Sequence, residues 1–401
     1  MTTSDDRMRR AGMALLRPPS GRSEIPPFIV MDVMRAAAER EALGARVIHM
    51  EVGQPGTPAP KAAREAVVRA LDTDALGYTL ALGTEALRAR IARLYRDWYE
   101  IDVAPERVVV TNGSSAAFVL AFLAAFDAGA RVALPSPGYP CYRHILSALG
   151  CRSVIVETDA ETRWMPSGEQ IVAADDAGKL DGLLIASPAN PSGTMLQPER
   201  LAEIIGICRR RGIWFISDEI YHGLTYGMPE QTALAYTSDA IVINSFSKYF
   251  SMTGWRVGWM VLPPGLVRTA ERLAQNLYIA PPTVAQVAAL GAFNGFDELE
   301  CNKAVYRANR DLLLDELPRA GLDAIVPADG AFYLYVDVGR FTDDSLTFAR
   351  QMLEETGIAA TPGIDFDAAR GGRFMRFSYS GTTPEMAEAA RRLRTWQRLS
   401  R

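Results

Sequence analysis

The sequence predicts an α/β protein: a large domain with a mostly parallel sheet flanked by helices, plus a smaller α+β domain. Three observations lead there. The middle of the chain alternates short, continuously apolar runs with helical stretches, and such runs indicate strands covered on both faces, as in a parallel sheet. After about residue 284 this alternation gives way to long helices and a few aromatic-rich strands. At 401 residues the chain is also too long for one simple core. The large domain is placed at 49–283, and the small one at 1–48 together with 284–401.

The elements follow in order. A helix is expected over 28–43. The β-branched run at 107–111 reads as a strand, and the small apolar stretch at 115–126 as the helix after it. Further strands are expected at 131–134, 153–156 and 182–186. A helix spans 198–211, with Pro198 in its first turn and the Arg209-Arg210-Arg211 run at its end, where cations complement the helix dipole. Strands then fall at 213–216, 240–244 and 257–262. Beyond them come helices at 283–293 and 299–317, and strands at 332–336 and 373–377, where aromatics cluster as they do in sheets. There is no internal repeat and no low-complexity linker.

Composition narrows the functions. The chain is 48% hydrophobic and 22% charged, with a net charge of −4, which argues against a nucleic-acid-binding face built on clustered cations. The Arg-Gly-Gly-Arg stretch at 370–373 reads as a loop. The four cysteines, Cys141, Cys151, Cys208 and Cys301, form no C-x-x-C pair, and three histidines without an H-E-x-x-H offer no zinc set. No metal site is expected. Few cysteines suit a reducing compartment. No run of about 18 apolar residues announces a membrane span, and Met13 to Leu16 is too short for a signal-peptide core. The expected location is cytoplasmic.

In open α/β sheets ligands bind beyond the carboxyl ends of the strands. Thr111-Asn112-Gly113-Ser114-Ser115 follows one strand and opens a helix, whose N–H groups and hydroxyls suit a phosphate. Tyr139, in Pro137-Gly138-Tyr139-Pro140, follows another. Asn190, in Ser187-Pro-Ala-Asn-Pro-Ser-Gly193, follows a third. Asp218 and Tyr221, in Ser217-Asp-Glu-Ile-Tyr221, follow a fourth. Ser245-Phe-Ser-Lys248 follows a fifth, and Arg256 lies eight residues on. Only four Lys stand among the 43 Lys and Arg, so an amine at a strand end is conspicuous; an amine forms a Schiff base and a guanidinium does not.

Together these groups fit pyridoxal phosphate. Lys248 would link to its aldehyde, and Asp218 would hold its pyridine nitrogen protonated, which makes the ring an electron sink. Tyr221 and Asn190 would reach the ring oxygen, and Tyr139 would stack on the ring. Gly113, Ser114, Ser115, Ser245 and Arg256 would hold the phosphate. Each alone has an ordinary reading: a helix start, a turn carboxylate, a β-turn, a packed loop aromatic, a surface cation. Their arrival in this order at one sheet edge is what points to the cofactor.

These motifs resemble the signatures of the class I/II, fold-type I aminotransferases, over roughly residues 28–395. Gly53, in Glu51-Val-Gly-Gln-Pro55, resembles the family's substrate-side glycine. Tyr78, in Gly77-Tyr-Thr79, resembles a tyrosine that reaches the neighbouring subunit's phosphate. Arg376, in Met375-Arg-Phe-Ser378, resembles the arginine that clamps the substrate α-carboxylate. With Asn190 these complete the implied substrate set. The resemblance implies the PLP-transferase fold type I and a homodimer with shared active sites. It implies an L-amino acid as donor and a 2-oxo acid, 2-oxoglutarate, as acceptor, with ping-pong kinetics and Lys248 as the base, its pKa lowered by cationic surroundings. One departure stands out. Some members that prefer acidic substrates carry a basic residue in the 113–116 loop, where this chain has Ser115-Ala116, which weakens a dicarboxylate preference. Ile25, Phe28, Tyr278 and Phe332 would permit a neutral or aromatic side chain, or are core.

Three alternatives stay open. Ser245-x-x-Lys248 fits a serine acyl enzyme, but the K-T-G and S-D-N partners are absent. A ligand-sensing module of a transcription regulator would carry a DNA-binding domain ahead of the first helix, where only about 27 residues stand. A PLP-dependent C–S β-lyase would use the same Lys248, Asp218 and Arg376.

Overall fold

The computed structural model describes residues 18–400. Its strands are β1 (Ile48–Met50), β2 (Val108–Thr111), β3 (Arg131–Ser136), β4 (Arg152–Glu157), β5 (Gly182–Ala186), β6 (Trp214–Asp218), β7 (Ile241–Ser245), β8 (Gly258–Val261), β9 (Tyr333–Asp337), β10 (Ile358–Pro362) and β11 (Phe374–Ser378). Seven form one sheet in the order β2-β8-β7-β6-β5-β3-β4. All pairings are parallel except those of β8, which runs antiparallel to β2 and β7. The fold class expected from the apolar runs is therefore the one found. β2, β5, β7 and β8 are buried at nearly every position, which is why their sequences do not alternate.

The direction of β8 matters for the site. The other six strands deliver their carboxyl ends to one rim, and β8 starts there, so Arg256, just before it, joins residues that follow β5, β6 and β7. Helix Gly113–Ala125 begins at the same rim and packs its apolar length on β7, β8 and helix Pro264–Leu277.

The other sheet has the order β1-β10-β11-β9. β1 pairs parallel with β10, and β11 pairs antiparallel with β10 and β9. Thr361 opposes Arg376 in register, and Arg376, in the middle of β11, lines a cavity shared with the large sheet's rim. β1 and β10 were not legible as strands: the first has three residues, and Ile358-Ala-Ala-Thr-Pro362 carries little β-forming bulk. The helix expected over 28–43 is Ile29–Ala42, and its Ile29 and Val30 N–H groups donate to the Asp365 carboxylate at 3.4 and 3.3 Å. That remote cap fixes the helix start over the rim, since its own N-cap residue, Phe28, has no side-chain acceptor. Among the described residues no helix is long and apolar enough to cross a membrane.

Candidate active site

A cavity of about 220 Å³ opens between the rim of the large sheet and β11. Lys248, Asp218, Tyr221, Asn190, Tyr139, Ser114, Ser115, Arg256, Gly53 and Arg376 all line it. Residues up to 323 positions apart thus share one space because strand ends from both sheets converge there.

Lys248 Nζ donates to the carbonyl oxygen of Gly53 at 2.6 Å and lies 5.8 Å from the centre of the Tyr221 ring. Burial pushes its pKa down to about 8, helped by the nearby Arg376 and Arg256 and opposed by Asp218. The sequence attributed the lowering to cationic neighbours; desolvation is the larger cause. Asp218 ends β6 almost fully buried, and burial pushes its carboxyl up to about 7. The Tyr142 hydroxyl and the Ile220 N–H (3.1 Å) donate to its two oxygens and oppose that rise.

Tyr221 is one turn beyond Asp218. Its hydroxyl lies 2.7 Å from that of Tyr333, and burial holds its phenol well above the ordinary range. Arg376 is buried in β11. Its Nη1 donates to Asn190 Oδ1 at 2.9 Å, and its Nη2 donates to the Glu51 carbonyl and to Thr361 Oγ1. The guanidinium carbon sits 4.4 Å from the Tyr333 ring centre and 4.8 Å from that of Phe366, a cation between two ring faces. Nε has no partner. Three of a guanidinium's five N–H donors are engaged; of the other two the Nε–H is enclosed, which leaves the second Nη1 N–H for a carboxylate.

At the other end, Ser114 and Ser115 lie in the first turn of Gly113–Ala125, where backbone N–H groups have no helical acceptor. Gly113 lies behind them at φ +76°, and a Cβ there would come within 2.5 Å of Arg256 Nη2. A glycine is thus what lets the guanidinium seat against the helix start. Ser245 does not line the cavity. Its Oγ lies 2.8 Å from that of Ser247, which does. Tyr78 is 86% exposed and outside the cavity of its own chain. Of the apolar rim residues, Phe28 lines the mouth, edge-on to Tyr139 at 5.8 Å. Phe332 is fully buried core, edge-on to Tyr221, and neither Ile25 nor Tyr278 lines the cavity.

Tyr142, Tyr333, Thr361 and Ser247 were missed. Tyr142 had a signal, since it stands three residues after Tyr139, one helical turn away. Tyr333 and Thr361 had none, because their relation to the site is set by strands distant in sequence. The donor set fits pyridoxal phosphate: a helix N-terminus, two serines and Arg256 for the phosphate, an amine for the aldehyde, and a buried carboxylate for the ring nitrogen.

Known proteins agree. Residues 45–393 match the family "Aminotransferase class I and II". The chain is 48% identical to the valine–pyruvate aminotransferase of Mycobacterium tuberculosis, over 94% of this chain and 97% of that protein. The crystal structure of an aminotransferase from Mycobacterium tuberculosis superposes with a TM-score of 0.93 at 48% identity, covering 95% of this chain and 99% of the other. The aspartate aminotransferase from Thermus thermophilus with maleate gives 0.89 at 30% identity, covering 94% and 99%. Amino acids and 2-oxo acids are the substrates such relatives imply, and pyridoxal phosphate is the cofactor of the family. The chain is a member of the class I and II aminotransferases, a fold-type I enzyme that transfers amino groups.

Proposed function

We propose that this aminotransferase takes the amino group of an apolar L-amino acid, works by a ping-pong mechanism, and acts as a homodimer. The observation that carries the reading is one cavity holding a half-buried amine, a buried carboxylate and a buried guanidinium. When bound there, pyridoxal phosphate supplies an aldehyde and a ring that withdraws electrons from the substrate's Cα.

This chain's residues do the rest. Lys248, with its pKa pushed down to about 8, keeps an unprotonated fraction at neutral pH and takes the proton from the substrate's Cα. Asp218 would hold the ring nitrogen, and a cationic N–H beside it would draw the carboxyl back into its ionised form. Tyr221 would donate to the ring oxygen. Ser114, Ser115, the N–H groups of their turn and Arg256 would hold the phosphate, with Gly113 and Ser245 supporting them from behind. Tyr139 would cover the ring. Arg376 holds the α-carboxylate with its charge and its free Nη1 N–H, braced by Asn190. Because one cavity serves both substrates, the product of the first leaves before the second enters.

The side-chain end of the cavity is formed by Phe28, Val30, Met31 and Val52. The cations lining the cavity among the described residues are Lys248, Arg256 and Arg376, and each already has a role. A donor such as valine and a short acceptor such as pyruvate therefore suit it, in line with the name of the Mycobacterium relative. The second reading keeps 2-oxoglutarate as acceptor, and the Thermus structure with maleate, a dicarboxylate, favours it. The homodimer is supported by the exposed apolar side chains of Tyr78, Leu80, Leu277, Ile279 and Val284, on two segments joined by a 2.5 Å hydrogen bond from Thr283 Oγ1 to the Gly77 carbonyl. Patches of this kind mark partner surfaces, and Tyr78 would there enter the partner's site. A cytoplasmic location and the division into 49–283 and 1–48 plus 284–401 belong to the same proposal, the latter supported by the two separate sheets.

The test is a half-reaction screen: each amino acid is added to reconstituted protein and the cofactor spectrum is followed, then pyruvate and 2-oxoglutarate are compared for its return. Valine and its neighbours should convert it fastest. Preference for aspartate or glutamate sinks the donor class, and pyruvate with ammonia released from cysteine conjugates without an acceptor moves the assignment to a lyase.

A further inference from the structure

We infer that Tyr333 is a positioning residue: its hydroxyl donates to Tyr221 Oη and thereby turns the Tyr221 proton toward the ring oxygen of the bound cofactor. The inference rests on the reading of the cavity given above.

The two phenols are buried, their oxygens 2.7 Å apart and their rings crossed at 81°. One proton lies between two hydroxyls at that distance, so one phenol donates and the other keeps its proton for a different acceptor. Two features decide which. The Tyr333 hydroxyl is enclosed: a Cβ on Gly53 would sit 1.8 Å from it. Among the described residues it makes no hydrogen bond except with Tyr221, and Arg376 beside it carries donors only. Both phenols line the cavity, but a free Tyr333 proton would find no acceptor among the described residues, whereas Tyr221, three residues after Asp218, stands on the side proposed for the ring. Charge acts on both phenols. Arg376 lies 4.4 Å from the Tyr333 ring centre, and a cation makes a phenol more acidic, hence the better donor. It acts on Tyr221 in the same sense, and there the Asp218 charge opposes it.

A hydroxyl that accepts one hydrogen bond becomes a stronger donor in the next. Tyr333 therefore strengthens the bond from Tyr221 to the ring oxygen and favours the state in which that oxygen carries negative charge. Gly53 is explained by the same contact, since any side chain at this position would displace the Tyr333 hydroxyl.

The test is a pH titration of the visible absorbance of the cofactor-loaded protein, for the parent, Tyr333→Phe, Tyr221→Phe and the double variant, with melting temperatures measured alongside. Tyr333→Phe should raise the midpoint by about 0.5 unit, and the double variant should titrate with Tyr221→Phe. Gly53→Ala, which pushes the hydroxyl away while keeping the phenol, should move the midpoint in the same direction, and serves if Tyr333→Phe does not fold. An unmoved midpoint overturns the inference. So does an equal shift with and without Tyr221, or a raised KM for the amino acid at an unchanged midpoint, which would place Tyr333 on the substrate instead. A parent protein with no visible band would overturn the reading of the cavity itself; a normal titrating band without the shift overturns only the role of Tyr333.

Discussion

Lys248 Nζ donates to the carbonyl oxygen of Gly53 at 2.6 Å, so the amine proposed to carry the cofactor is tied to the segment that runs toward the substrate side of the cavity. Released from that carbonyl, the amine has Asp218, Tyr221 and Arg376 around the same space. Lys248→Ala is expected to abolish both the visible absorbance of the loaded protein and the transamination rate. Turnover retained with a normal spectrum would show that another group forms the link.

Arg376→Ala removes the charged donor available to a carboxylate and leaves Asn190 Oδ1 without its partner. Hydrogen bonds to charged groups contribute about 1.5–3 kcal/mol, so KM for the amino acid should rise roughly 10- to 100-fold, with a smaller fall in kcat. Steady-state kinetics with the best donor decide it, and an unchanged KM would remove Arg376 from carboxylate binding.

Tyr142 donates to the Asp218 carboxylate and so opposes the upward push of burial. Tyr142→Phe should raise the Asp218 pKa further and weaken its hold on a protonated ring nitrogen. A lost hydrogen bond of about 1 kcal/mol corresponds to a cofactor affinity lower by roughly fivefold. Equilibrium dialysis of the cofactor reads this directly; equal affinity would mean that Tyr142 only fills space.

The cofactor-free protein should gain stability when either the buried Asp218 charge or the half-buried Lys248 charge is removed. Folding pushes Asp218 up to about 7 and Lys248 down to about 8. From about pH 4 to 7 the folded chain holds a proton on Asp218 that the unfolded chain has lost, so stability falls as pH rises. From about pH 8 to 10 the unfolded chain holds a proton on Lys248 that the folded chain has lost, so stability rises. The two contributions are together least favourable between about pH 7 and 8. Asp218→Asn and Lys248→Met are each expected to raise the melting temperature of cofactor-free protein there, equivalent to about 1–3 kcal/mol. A lower melting temperature for both would show that neither charge is strained by burial.

Much of the fold was legible because the signals were local. Gly182-Leu-Leu-Ile-Ala186 is apolar throughout and reads as a strand covered on both faces, and Pro198 marked the first turn of the helix that follows it. The direction of β8 was not legible, because an apolar run reads the same parallel or antiparallel. Arg256 was singled out from its motif; its arrival at the rim follows from that reversed strand. β1 and β10 were missed, being short and built largely from residues without β-forming bulk.

What the sequence by itself determined is the set of reactive groups and the sheet edge on which most of them fall, since a residue's chemistry and its place after an apolar run are local properties. Tertiary structure alone decided their strengths and pairings. The 2.9 Å bond between Arg376 and Asn190 joins residues 186 positions apart. The lowered pKa of Lys248 combines its burial with the fields of Arg376, Arg256 and Asp218, which come from separate strand ends. Burial and Coulomb interaction depend on distance through space, and only the packing of one sheet against the other sets those distances.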